Sequence, residues 1–264
     1  MTNLKPKSST QTLKMSNRTT VKAPATRRRS AYSKAELEEI FRRFSVQRPE
    51  PRGELEYVNP FTLVVAVALS AQATDVGVNK ATRALFKIAD TPEKMLALGE
   101  DAVRDYIKTI GLYRNKAKNV IALSRMLVEE FDGVVPKTRE ELVRLPGVGR
   151  KTANVVMSMA FGIATIAVDT HILRIGNRIR LAPGKTPDEV EDRLERIIPK
   201  HYLYHAHHWL ILHGRYTCKA RRPECEHCVI ADICKSPEKT CDIPAPLVEL
   251  PPQAISETVS ASGA

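Results

Sequence analysis

Four cysteines, Cys218, Cys225, Cys228 and Cys234, are separated by six, two and five residues near one end of the chain. Thiolates are soft donors that hold iron-sulfur clusters or zinc, and four in so short a stretch can close around one inorganic centre without help from elsewhere. Structural zinc sites usually come as two Cys-x-x-Cys knuckles, and only Cys225 and Cys228 make such a pair, so the spacing favours iron-sulfur over zinc. Disulfides are disfavoured by five cysteines in 264 residues and by a leading segment without the apolar stretch of a secretory signal. Cys241, the fifth, has no spacing partner and reads as a free thiol.

A second group of residues could do covalent chemistry. In LPGVGRKTANVV (145–156) a helix ending at Leu145 is expected to meet a Pro-Gly-Val-Gly turn, with a new helix starting at Arg150. Gly147 and Gly149 lack a Cβ, so the turn can take positive φ and bring backbone N–H groups close to a phosphate. The positive end of the following helix adds to the same spot. Lys151 sits there beside Arg150, and partial burial next to that cation is expected to lower its pKa. A neutral amine can attack a carbonyl-like carbon to form a Schiff base. Asp169, eighteen residues on in TIAVDTHILR, would stabilise positive charge on a sugar and shuttle protons. Taken singly, a hairpin turn, a solvated lysine and an N-cap aspartate explain these residues equally well. The cap and the catalytic role of Asp169 are compatible.

The elements that must position these groups are helical. Ser33 with Glu36, Thr138 with Glu141 and Thr186 with Glu189 read as capping boxes, while Asn59-Pro60 and Thr91-Pro92 read as helix starts. Gly111 reads as the C-cap of DAVRDYIKTI, and Phe61 to Leu69 as a core helix apolar all round, too short to span a membrane. Alternating strand patterns and internal repeats are absent, so the expected fold is all-α, a compact set of short helices.

The net charge of +11 is uneven: residues 1–30 carry eight Lys or Arg and no acid, which leaves +3 for the rest. That tail and the Pro- and Ser-rich 243–264 segment are expected to be disordered. The tail reads as a DNA-binding arm, a transit peptide or an upstream extension. Polyanion binding by the folded body must therefore use local patches. One candidate is the loop between Cys218 and Cys225, whose Lys219, Arg221 and Arg222 suit phosphate contacts or offset the charge of a thiolate-ligated cluster. The histidines at 201, 205, 207, 208 and 213 lack a partner carboxylate or thiol in the pattern and are read as packing groups; His171 is a candidate contact to a nucleic-acid backbone.

Residues 31–242 resemble the endonuclease III family of helix-hairpin-helix DNA glycosylases and AP lyases. The likeness rests on LSAQATD (69–75), IKTIGLY (107–113), LPGVGRKTAN (145–154), VDTHI (168–172), HHWLILHGRYTC (207–218) and the cysteine spacing. The resemblance implies removal of oxidised or damaged pyrimidines from duplex DNA, then strand cleavage by β-elimination at the abasic site. It makes Lys151 the Schiff-base nucleophile at the sugar C1′, Asp169 its carboxylate partner and the four cysteines ligands of one 4Fe-4S cluster. A stacked base must be flipped out to be reached. The resemblance assigns Gln72 to filling the vacated space and Leu112 to wedging the stack, with Gly147, Gly149 and Arg150 at the phosphates.

The resemblance also implies two domains, a six-helix unit over 53–163 and a cluster domain from 31–52 plus 164–242, with the active site between them. A monomer acting on damaged duplex DNA, without a membrane, is expected in a bacterial cytoplasm at the nucleoid, and the acid-free tail leaves an organelle open. The adenine-mismatch glycosylase relative, which lacks a lyase step, is disfavoured by Lys151 and by the short segment after Cys234. A non-catalytic helix-hairpin-helix module would need no paired Lys151 and Asp169.

Overall fold

The computed structural model describes residues 29–51 and 53–240. Residues 1–28 of the basic tail, the 243–264 segment and Cys241 lie outside the described residues. Among those described there are eleven α-helices and no strand: α1 (Lys34–Gln47), α2 (Pro60–Leu69), α3 (Asp75–Ile88), α4 (Pro92–Leu98), α5 (Glu100–Ile107), α6 (Tyr113–Glu130), α7 (Arg139–Leu142), α8 (Arg150–Phe161), α9 (Thr170–Arg178), α10 (Pro187–Ile197) and α11 (Leu203–Tyr216). The segment 53–163 therefore holds seven helices where six were expected, α7 being a single turn.

Local chemistry fixes most of the helix starts. Ser33 Oγ accepts from the Glu36 N–H while the Glu36 carboxylate accepts from the Ser33 N–H at 2.7 Å, a complete capping box. Asn59 and Thr62 exchange the same pair of bonds, with Pro60 as the first residue of α2. Thr138 and Thr186 cap α7 and α10 through their hydroxyls, but their boxes are only half made. Glu141 takes the Thr138 hydroxyl at 2.6 Å, and Glu189 takes the Lys185 N–H at 3.0 Å.

Two ends differ from the sequence reading. α5 stops at Ile107 with Lys108 as its cap, so Gly111 is not a C-cap. The left-handed residue of that turn is instead Leu112 at φ 59°. The first helix of the hairpin, α7, ends at Leu142 rather than Leu145, and turns carry the chain through to Arg150.

Two hydrophobic clusters organise the helices. The first is built on α2, which buries Phe61 to Val67 and Leu69, and it takes in Leu85 of α3, Leu123 and Leu127 of α6 and Val156 of α8. The second gathers Leu37, Ile40, Phe41 and Phe44 of α1, the last three standing 3, 4 and 7 residues beyond Leu37 in the stripe of an amphipathic helix, with Ile172 and Ile175 of α9, Leu194 of α10 and Trp209 of α11. Cys218, Cys228 and Ile230 belong to this second cluster. Between α8 and α9 the chain is extended, with Ile166 and Val168 in the second cluster and Ala167 in the first. Tyr32 closes the second cluster from the N-terminal side: its hydroxyl donates to Ile179 O and accepts from Lys235 N–H, both at 2.9 Å.

Candidate active site

The hairpin turn places Lys151 at the open end of a helix. Gly149 is the N-cap of α8 and no side chain caps that end, so its leading N–H groups present the positive end of the helix outward. Gly147 needs to be glycine twice over: its φ is +81°, and a Cβ there would stand 3.0 Å from Asn119 Nδ2. Gly149, at φ −93°, does not take the positive φ expected of it, but the space around its Cα is open.

Lys151 is exposed and lines a cleft together with Ser70, Asp75, His207, His208 and Arg215. Two expectations about its surroundings are corrected here. The lysine is not partly buried, and its neighbour Arg150 is not a bare cation. Arg150 Nη2 lies 2.8 Å from Glu191 and 3.5 Å from Asp192, with Nε 3.7 Å from Asp188. Those three carboxylates offset the charge of Arg150.

Asp169 is the N-cap of α9, its Oδ1 accepting from the Ile172 N–H at 2.8 Å. Only that oxygen is engaged among the described residues. Arg215 lines the same cleft. It pairs with Glu54 and, at 2.9 Å, with Asp75. Burial works against its charged form, but Asp75, Glu54 and Asp169 together outweigh burial and raise its pKa. Helix α11, which carries Arg215, lies very close to α9. A Cβ on Gly214 would come 2.8 Å from Ile175 Cδ1 and 3.0 Å from His171 Cβ. His171 is half-buried at that crossing, with Nδ1 3.4 Å from Arg174.

Gln72 and Leu112 are exposed and both left-handed, at φ 55° and 59°, Leu112 retaining 59 % exposure. Left-handed backbone costs an ordinary residue roughly 1–2 kcal/mol. Their turns are neighbours, since a Cβ on Gly111 would lie 4.0 Å from Gln72 O. Gln72 does not cap α2; Ser70 does.

Of the other histidines, His207 and His213 are buried and His205 and His208 half-buried packing groups, as their pattern suggested, but His201 is exposed and its Nε2 lies 2.9 Å from the Glu38 carboxylate, a partner the local pattern does not show. Burial, with the charges of His208, Lys151 and Arg215 after it, pushes His207 down to about 3, and burial pushes His213 down to about 4. In the unfolded chain both would take a proton near 6.5. Above that pH neither state is protonated and nothing is lost; below it the unfolded state binds protons that the folded state refuses. Stability should therefore fall as the pH drops from 6.5 towards 4, by about 1.4 kcal/mol per pH unit for each histidine. Urea midpoints of wild type and His207→Gln/His213→Gln check this, the double variant showing the shallower fall.

All four cysteines line one small cavity. Burial, then the neighbouring thiols, push Cys228 up to about 12, so its thiolate form needs a compensating cation. Among the described residues no three His, Cys, Asp or Glu side chains converge as ligands of a single ion must. The loop from Cys218 to Cys225 is also held through its backbone: Arg178 donates to Lys219 O at 2.6 Å and Ala220 O at 2.7 Å, and Arg174 to Cys218 O at 3.2 Å. Lys219 is not a free cation, because it pairs with Glu224. Arg221 and Arg222 are exposed, with no ion-pair partner among the described residues.

The sequence reading did not single out Ser70, Asp75, His207 and Arg215 as cleft residues. Each lies inside a segment quoted for the resemblance, and that is the signal that could have found them.

Residues 65–200 match the family model described as HhH-GPD superfamily base excision DNA repair protein, and residues 218–234 match the iron-sulfur binding domain of endonuclease III. The chain is 56% identical over 198 residues to endonuclease III of Rickettsia conorii, covering 75% of this chain and 94% of the relative. It is 54% identical over 207 residues to endonuclease III of Escherichia coli K12, covering 78% and 98%. A solved structure of a trapped endonuclease III–DNA covalent intermediate superposes with a TM-score of 0.73 at 43% identity, covering 77% of this chain and 96% of that one.

Proposed function

This chain belongs to the endonuclease III family of HhH-GPD base excision DNA repair proteins, and from that premise we propose that Lys151 and Asp169 carry its chemistry. The protein is a DNA glycosylase and AP lyase that acts on duplex DNA containing damaged bases, and it carries a 4Fe-4S cluster. Its preferred substrates in this reading are oxidised or damaged pyrimidines. The observation that carries the reading is Lys151, which stands at the uncapped start of α8 and opens on the cleft between the two hydrophobic clusters.

An extruded nucleotide enters that cleft with its phosphates towards the hairpin amides. Asp169 accepts a proton from the Lys151 ammonium, and the freed Nζ attacks C1′ as the base leaves. The leaving base takes a proton from the attacking nitrogen, Asp169 passes its proton to O4′ as the C1′–O4′ bond breaks and the sugar ring opens, and the carboxylate thus restored stabilises the positive charge of the Lys151–C1′ Schiff base. Loss of a C2′ proton breaks the C3′–O bond, and water releases the enzyme. Leu112 on its strained, exposed turn wedges the duplex from the minor groove while Gln72, beside it, occupies the vacated space. His171 has a weaker case as a backbone contact, packed as it is against α11.

Cys218, Cys225, Cys228 and Cys234 are the ligands in this proposal. The bound cluster supplies a cross-link that folds the loop-rich C-terminal segment. The two hydrophobic clusters support a division into domains near residue 163, with 31–52 joining the C-terminal part. A bacterial cytoplasm at the nucleoid is the location that fits. Among the described residues no helix is long and apolar enough to cross a membrane.

Because Lys219 is already paired, Arg221 and Arg222 are the phosphate contacts of the cluster loop. Arg221→Ala/Arg222→Ala should flatten the slope of log K against log salt by about 2, roughly 0.9 per lost contact, while Lys219→Ala leaves it nearly unchanged. Titrations of an abasic-analogue duplex across a range of KCl concentrations check this, and equal effects from all three cations would refute it.

The function itself is tested by offering duplexes that carry an oxidised pyrimidine, an abasic site or an adenine mismatch, and reading base release together with borohydride trapping. Release and trapping are expected on the first and trapping on the second. Release from the mismatch alone, without trapping, would favour the adenine-mismatch relative.

A further inference from the structure

The arginine of the hairpin is anchored on a buried carboxylate. Glu191 on α10 is 2 % exposed, and its oxygens take Arg150 Nη2 at 2.8 Å and Arg150 Nε at 3.1 and 3.2 Å. Arg139 Nη2, on the other helix of the hairpin, stands 3.4 Å from the same Oε1. A carboxylate on a helix of the second hydrophobic cluster thus grips both helices of a hairpin that packs into the first. Glu191 thus lies between two guanidinium groups, the partners a carboxylate this deep requires.

The network continues into the linker that leads to Asp169. Arg139 Nε donates to Asn154 Oδ1 at 2.8 Å, and Asn154 is wholly buried on α8. Its Nδ2 donates to Ile166 O at 3.4 Å and its backbone carbonyl accepts from Thr165 Oγ1 at 2.7 Å. One turn further along α10, Glu195 stands 3.9 Å from Arg139 and accepts a backbone hydrogen bond from Ile166. Lys151 follows Arg150 directly, and Asp169 lies three residues beyond Ile166. One cluster of side chains that includes neither of them therefore fixes the backbone next to both.

We propose that Glu191 is a positioning residue for the lyase reaction: by clamping Arg139 and Arg150 it locks the hairpin to α10 and sets the approach of Lys151 to the sugar carbon that Asp169 serves. The inference rests on the Lys151 reading above. A misplacement of about 1 Å at a reacting group can cost on the order of 100-fold in rate. A residue acting only through position should lower the rate of the bound complex while leaving DNA affinity in place.

The test is single-turnover borohydride trapping on an abasic duplex by the cluster-loaded protein, with Kd measured separately and cluster content read from visible absorbance. Glu191→Gln should slow trapping about 10- to 100-fold with Kd within about twofold and full cluster absorbance. Arg150→Lys keeps the charge but loses the two-pronged grip, so it should slow trapping by a similar factor, and the double variant should be no slower than either. If Glu191→Gln fails to fold, Arg150→Lys carries the same test. An unchanged rate, a loss explained by weaker binding, or factors that multiply in the double variant would overturn the proposal. Failure of the wild type to trap at all would instead overturn the Lys151 reading.

Discussion

Lys151→Gln should leave the fold and duplex binding in place and reduce strand cleavage at abasic sites by roughly 10⁴-fold or more, with no covalent adduct after borohydride. Lys151 is exposed on the first turn of α8, and glutamine has nearly the same helix propensity, so stability should change by no more than about 0.5 kcal/mol. The amide nitrogen of glutamine cannot attack C1′, so what remains is binding and extrusion without chemistry. Base release should fall with the lyase step, because one amine serves both. Single-turnover nicking, trapping and a binding isotherm on the same preparation check the three parts together.

Asp169→Asn should fold as well as wild type and turn over on the order of 1000-fold more slowly. The two roles of this residue are separable because asparagine caps helices about as well as aspartate, and it can keep the bond to the Ile172 N–H. The negative charge is what it loses, and with it the proton acceptor proposed for Lys151 and part of the charge that favours the Arg215 cation. Asp169→Ala should add about 1 kcal/mol of destabilisation through the missing cap. If Asp169→Asn turned over at full rate, the residue would be a helix cap and nothing more.

What could be read in the sequence follows the range of the interactions involved. Ser33, Asn59, Thr91, Thr138 and Thr186 start helices because their side chains bond backbone three residues away, and such short spacings are visible in a string of letters. Phe61 to Leu69 was legible as a core helix because no polar face interrupts it. The turn after α5 was misread at Gly111, where propensity favours glycine; the chain puts Leu112 in the left-handed conformation instead, a strain that fits an exposed probing residue better than a quiet cap.

The misjudged charges are those whose partners depend on the fold. Arg150 meets Glu191 across 41 residues, and no local pattern foretells that pairing. Arg215 likewise reaches Glu54 and Asp75 from 161 and 140 residues away. Lys219 is neutralised by Glu224 only because the loop between the cysteines folds back on itself. The cysteine spacing and the hairpin motif were legible because each is a short, self-contained unit. The cleft that gives Lys151 its task is assembled from four distant segments.

The central claim is that a single amine, Lys151 Nζ, forms the bond to DNA. The wild-type protein should be trapped by borohydride on an abasic duplex, digested with protease and nuclease, and the modified peptide sequenced by mass spectrometry. The reduced sugar remnant is expected on Lys151. A remnant on any other lysine or on the terminal amine would contradict it.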